Sequence, residues 1–277
     1  LGQDAGAGES RSFWRPKGSV ALAWNPASQW EMNLKLQRKV GQLNFFDFLA
    51  SVDVVNNNAN GSNPRLVPPQ SWVLQLETVR TLGGNGKIRL NLEAEDVSDL
   101  VTQIPISATA EAPGNLAKAR RFQVTLETSL LLDAIGIPGG KLDNFLTWRD
   151  TRMRDPLFGT HRQWNGNRSY WNLDFRQDVP GTQWAWGLFS ELQSQNKFYR
   201  LDYEERFATT RPFGMAFIEH KDVWGLKMRA SIGNLYNTKD REQSVSYLAR
   251  RDGPVEYTRD QTVTWHPFFQ FTLSGTF

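Results

Sequence analysis

The sequence predicts an all-β fold, an antiparallel transmembrane β-barrel of about twelve strands. Three observations predict it: apolar and polar residues alternate with a period of two, aromatic residues are abundant, and short connections alternate with long ones. Eleven Trp, seventeen Phe and six Tyr make up 12% of the 277 residues, which aromatic girdles at two membrane interfaces would use. No apolar run approaches the ~20 residues of a helical span, so a helical membrane protein is excluded. With 39% hydrophobic residues and a negative mean hydropathy, the composition alone also fits a soluble protein. A barrel averages to the same values because each strand meets lipid and lumen in turn. An aromatic-rich sandwich or lectin-like domain is the soluble alternative at this point.

Taken in order, Val20, Leu22 and Trp24 alternate with Ser19, Ala21, Ala23 and Asn25 up to an Asn-Pro-Ala-Ser turn. Trp30, Met32, Leu34 and Leu36 then oppose Glu31, Asn33, Lys35 and Gln37. Trp72, Leu74 and Leu76 lead through a glycine turn at Gly83, Gly84 and Gly86 to Ile88, Leu90 and Leu92, which is a hairpin. Phe122, Val124 and Leu126 follow, then an irregular stretch from Leu142 to Thr151 in which Asn144 falls on the apolar side. Trp171, Leu173 and Phe175 continue the series, as do Trp184, Trp186 and Leu188, and then Phe213, Met215 and Phe217. Met228, Ala230 and Ile232 precede the last and clearest strand, where Phe269, Phe271, Leu273 and Phe277 face away from Gln270, Thr272 and Ser274. The count is eleven strands, with a twelfth allowed near the N-terminus.

Loop lengths separate a barrel from a sandwich. Connections are about 3 to 6 residues near Pro26, Gly84, Pro180 and Asp222, somewhat longer near Gly136, and roughly 10 to 30 around Asn57, Thr109, Thr160, Arg206 and Arg250. If the last strand ends on the periplasmic side, every short turn falls there and every long loop outside. Residues 1–11 have no signal-peptide order and read as a flexible or internal start, with barrel strands over 12–277.

The termini and turns carry a resemblance. The alternating strand ending in Phe269, Phe271, Leu273 and Phe277 resembles the outer-membrane signal read by the barrel-assembly machinery, apart from Gly275. Gly233, Asn234, Leu235, Tyr236, Asn237 and Thr238 are similar to the Asn-Leu-Phe-Asp/Asn motif near the C-terminus of TonB-dependent receptors. Pro64, Arg65, Leu66, Pro68, Pro69 and Gln70 resemble that family's Asn-Pro-x-Leu-x-Pro-Glu/Gln element, and the stretch from Ala117 to Phe122 its strand start. The resemblance spans roughly residues 12–277 and leaves out the N-terminal plug. It implies the C-terminal half of a 22-stranded barrel in the outer membrane of a Gram-negative bacterium. Its task would be energised import of a scarce, bulky solute of siderophore, cobalamin or glycan type. Implied partners are outer-membrane lipid and lipopolysaccharide, the barrel-assembly machinery, and TonB acting through the plug region.

Chemistry is not expected. His161, His220 and His266 lack metal-ligand spacing, and no cofactor or metal is called for. Without Cys there is no disulfide framework, and a net charge of +3 does not point to nucleic acid. Thr264 beside His266 is the nearest approach to a lipid-hydrolysing pair, and Glu204, Glu205, Asp143, Asp150 and Asp155 read as solvated charges. A barrel phospholipase and a passive twelve-stranded pore are the alternative functions. Lys35, Arg89, Glu93, Arg121, Glu127, Asp174, Arg176 and Arg229 are candidate lumen-lining residues. Trp164, Asn165 and Tyr170 are candidate loop contacts for a ligand.

Overall fold

The computed structural model describes residues 12–44, 51–53, 58–60, 63–164 and 166–275. Its main sheet is a single antiparallel ribbon. Following the chain, the strands are β1 (Gly18–Ala27), β2 (Trp30–Val40), β3 (Ser51–Asp53), β4 (Asn58–Asn60), β5 (Gln70–Thr81), β6 (Gly86–Ser98), β7 (Leu100–Pro105) and β8 (Ala110–Leu116). Then come β9 (Ala119–Leu131), β10 (Gly140–Arg154), β11 (His161–Arg162), β12 (Gly166–Asp178), β13 (Trp184–Tyr199), β14 (Tyr203–Arg211) and β15 (Phe213–Val223). The last four are β16 (Leu226–Gly233), β17 (Lys239–Tyr247), β18 (Val255–Thr264) and β19 (Phe268–Ser274).

The ribbon runs β1-β2-β5-β6-β9-β10-β12-β13-β14-β17-β18, with β15, β16 and β19 prolonging β14, β17 and β18. Eleven wall strands result among the described residues, the number the alternation predicts. Neither β1 nor the β18/β19 strand has a second neighbour among the described residues. No strand is assigned over residues 12–17, and the allowance of a twelfth strand otherwise falls on residues 1–11, outside the described residues, as do Asn165 and Phe277.

Registers line the two faces up. On one face Leu22, Leu34, Leu76, Leu92, Val124 and Trp148 sit directly across from one another from β1 to β10. On the other, Lys35, Gln75, Glu93, Gln123 and Arg149 form the matching row. Because the period is two, a slip of one residue anywhere would exchange the faces, and across these strands the pairing shifts only at the end of β1, between Trp24 and Ala27. Asn144 on the apolar side of β10 is accommodated because its side-chain oxygen accepts the Trp171 indole N–H at 2.8 Å.

One phase is corrected. Phe213, Met215 and Phe217 were expected on the apolar side, but in β15 it is Ala216 and Ile218 that pair with Leu188 and Trp186. Phe217 therefore lies on the polar side, over Gly187, where an added Cβ would come within 2.5 Å of its ring. A glycine opposite an aromatic ring is the usual cover for a strand glycine, and it lets this strand carry aromatics inward.

The expected long loops around Arg206 and Arg250 are corrected too. They are mostly strand: β13 and β14 pair from Asn196 to Tyr199, and β14, β17 and β18 continue the wall past the apolar zone. Three neighbouring strands break at one level to allow it. Pro212, which has no N–H to give, separates β14 from β15. Asn234 and Asn237 take left-handed φ of 58° and 52° between β16 and β17, which Asn tolerates better than most residues. The gap is closed by Leu235 N–H donating to the Gly214 carbonyl at 2.9 Å, Trp265 N–H to Thr238 at 2.9 Å, and the Thr238 hydroxyl to Pro212 at 2.9 Å. This explains the Gly-Asn-Leu-Tyr-Asn-Thr segment physically.

β3, β4, β8 and β7 form a second, four-stranded sheet from the two connections preceding β5 and β9, with β4 and β8 parallel. Gly83 (φ 62°) and Gly86 (φ 120°) bear out the glycine turn between β5 and β6.

Candidate functional site

The polar face carries paired charges. Arg89 reaches Glu127 at 3.4 Å and Glu77 at 4.0 Å, and Arg121 holds Glu93 at 2.6 Å and Glu95 at 2.7 Å. Arg149 donates to Gln123 at 2.6 Å. Arg176 meets Glu219 at 2.8 Å and Asp178 at 2.9 Å, Lys227 meets Glu219 at 3.0 Å, and Arg229 lies over the Phe217 ring at 3.5 Å. Register puts all eight candidate lining residues on this one face, including Lys35 across from Gln75 and Asp174 across from Asp143. Ion pairs between neighbouring strands leave the wall hydrophilic yet nearly neutral.

The opposite face is apolar and framed. Arg38 stacks over the Trp72 ring at 5.1 Å, directly across β2 and β5, and Arg80 over Trp30 at 5.2 Å at the other end of the same two strands. Each guanidinium lies over an indole, a cation–π pairing suited to side chains at a membrane boundary. Trp72 and Trp30 lie eight positions apart in this register. At ~3.4 Å per residue that is about 27 Å of strand, which a tilt of ~40° shortens to about 21 Å across the layer. Phe122 against Trp148, 6.2 Å between centroids, joins one girdle, and Trp184 and the exposed Trp224 join the other. Phe269, Phe271 and Leu273 lie exposed on this same face of β19.

Inside the long-connection end is a cavity of about 670 Å³ whose wall includes Lys17, Gln37, Lys39, Glu95, Arg121 and Trp164. Trp164 stands in the connection after β11 but turns inward, its indole N–H donating to the Arg152 carbonyl at 3.2 Å and its ring packed on Val97, Ala119 and Met153. Tyr170, expected in a loop, lies in β12 on the polar face, where its hydroxyl donates to Glu191 at 3.0 Å. It borders a separate cavity of about 310 Å³ with Asp240, Trp265 and His266 at the level of the strand breaks. Thr264 ends β18 and His266 lies in the break that follows.

The rim itself is tied by buried charges, among them Asp155, which reads in sequence as solvated. Asp155 is 2% exposed and takes Arg162 at 2.7 Å and Arg251 at 2.8 Å. Burial would raise its carboxyl, but the bonds from Arg251 and from the amides of Leu157 and Phe158 outweigh that and hold it below the usual carboxylate range. Glu111, equally buried in β8, pairs with Arg200 and accepts the Leu201 N–H at 2.8 Å. Asn115 clamps Val67 through both its N–H (3.0 Å) and carbonyl (2.9 Å), and takes the Asp99 carbonyl at 2.8 Å. Arg251 also donates through Nε to the Arg200 carbonyl at 2.7 Å, so five connections are fastened to each other. Sequence reasoning missed these residues, and only the Pro64 to Gln70 element pointed toward them.

No protein-family model matches the chain, and no curated protein matches it. Among solved structures it is similar to the ferric enterobactin receptor of Pseudomonas aeruginosa, solved as a point mutant, with a TM-score of 0.61 at 12% identity over 94% of this chain. The chain spans 40% of that receptor's length. At this identity the likeness concerns the fold: the chain is an antiparallel β structure with the architecture of an outer-membrane receptor barrel.

Proposed function

We propose that this chain is part of the wall of a TonB-dependent outer-membrane receptor that imports a bulky solute, and that it performs no chemistry of its own. The observation that carries the reading is the two-faced wall: among the described residues eleven strands keep one apolar and one ion-paired polar face in register, with an unpaired edge at each side. Open edges within lipid are costly, so further strands are expected to pair with β1 and β19 and complete a 22-stranded barrel. The C-terminal half of that barrel is the portion assigned to this chain. TonB would act through a plug region held by the inner wall, with Lys35, Arg89, Glu93, Arg121, Glu127, Asp174, Arg176 and Arg229 facing it. Insertion by the barrel-assembly machinery would use Phe269, Phe271, Leu273 and Phe277. The rim cavity with Trp164, its neighbour Asn165, and the Tyr170 side of the wall would meet the solute, a siderophore, a cobalamin or a glycan.

The test is uptake in Gram-negative cells carrying the gene in its full natural length, offered labelled ferric enterobactin, cyanocobalamin and a maltodextrin in turn. Accumulation of one of them that stops when TonB is deleted, and that falls on Arg121→Gln, is the expected result. Accumulation of all three independent of TonB would replace the receptor with a passive pore.

A further inference from the structure

The outward face has one feature that neither the polar lumen nor solute uptake uses. Where the apolar rows give way to the long connections, the next row across the sheet is Arg38, Trp72, Asp96, Arg120 and Arg152. Arg120 and Arg152 are directly opposite on adjacent strands, and their side chains are 68% and 72% exposed. Like charges placed directly across a strand pair repel, and here the repulsion sits at the edge of a surface that excludes water. Asp96 and Asp150 relieve it in part: Arg120 donates to Asp96 at 3.1 Å and Arg152 approaches Asp150 at 3.5 Å, in both cases through Nε. A guanidinium held at Nε still has its terminal edge for a second, bidentate acceptor. Immediately below is a cleft of about 500 Å³ floored by Leu36, Leu74 and Phe122, apolar and half exposed.

An anion over the arginine pair joined to a hydrocarbon chain in the cleft matches both halves at once. We propose that this face binds the phosphate of a membrane-lipid headgroup through Arg120 and Arg152, with an acyl chain laid against Leu36, Leu74 and Phe122. The inference rests on the reading that the apolar face meets lipid. It goes beyond that reading in assigning a specific headgroup site to one place on the wall. A free phosphate would satisfy the arginines but leave the cleft exposed, so the lipid is the occupant.

The chain contains no Cys, so a single Leu74→Cys carries a fluorescent label without ambiguity. The full-length protein is placed in phosphatidylcholine nanodiscs containing either diphosphorylated or dephosphorylated lipid A, and retained glycolipid is counted by native mass spectrometry. The diphosphorylated form is expected to be retained on the order of tenfold better, and Arg120→Gln with Arg152→Gln to remove the preference. Arg80→Gln, at the opposite girdle, is expected to leave it intact. Quenching of the Leu74→Cys label by brominated acyl chains reports the lipid-facing reading separately; if it is absent, that reading falls. Quenching together with equal retention of the two glycolipids overturns the headgroup site alone, as does release of lipid A by millimolar inorganic phosphate. The wild-type comparison needs no variant to fold.

Discussion

Asp155 shows how far a single side chain departs from its look in the sequence. Surrounded by Arg152, Arg154 and Arg162 in a polar connection, it reads as one more solvated acid, but its partner Arg251 is 96 residues away. Spacing along a chain contains no information about that meeting. Removing one member of a buried pair strands the other, at about 3–5 kcal/mol. Asp155→Asn is therefore expected to loosen the connections before β12 and β18, read as faster amide exchange at Leu157, Phe158 and Arg251 with the membrane strands unchanged. The pH dependence follows from the direction of the shift. A carboxyl held below its unfolded value contributes stability that is complete above the ordinary carboxylate range and is lost as pH falls through its lowered folded value. Wild type and Asp155→Asn should accordingly exchange alike at the acid end and differ most near neutrality.

At the scale of the strand, glycines opposite rings decide how the inner face is filled. An alanine Cβ at Gly187 would lie 2.4 Å from the Phe175 carbonyl and 2.5 Å from the Phe217 ring, and overpacking of this kind costs about 1–3 kcal/mol. Gly84→Ala, in open space, should be neutral. Urea unfolding in detergent would show a lowered midpoint for Gly187→Ala only. This arrangement also explains the one inverted strand phase. Alternation reports which residues share a side, not which side is which, and in β15 both sides are rich in apolar residues: Phe213, Met215 and Phe217 against Ala216 and Ile218. β5, β6 and β9 were legible because, between the two girdles, charge falls on one side only. The strand extensions from Asn196 to Tyr199 and around Arg206 were not, since charged residues on both sides there look like loop, although backbone pairing holds them as ribbon.

Across the whole molecule the test of orientation is asymmetric. Leu76 lies midway along the apolar rows, and an arginine there should cost about 2–4 kcal/mol in a bilayer, whereas Gln75→Arg, one residue away and facing inward, should cost little. Heat-resistant migration on a denaturing gel, lost for Leu76→Arg and kept for Gln75→Arg, is the expected outcome; the reverse would mean that the faces are swapped. The two-sided wall and its strand number were open to reading because each repeats along the chain. The rim cavity and the tethers of Glu111 and Asn115 were not, because they are made once, by segments distant in order.

The two stacked arginine–tryptophan pairs on β2 and β5 act together as a gauge. They fix how much of each strand can sit among acyl chains, and the interval between them suits a thin hydrocarbon layer. Where acyl chains are longer, either the bilayer thins around the protein or the guanidinium groups are drawn below the headgroups. Insertion into vesicles should then decline as the lipid tails lengthen from twelve to twenty carbons, so membrane thickness itself would help sort this polypeptide to its compartment.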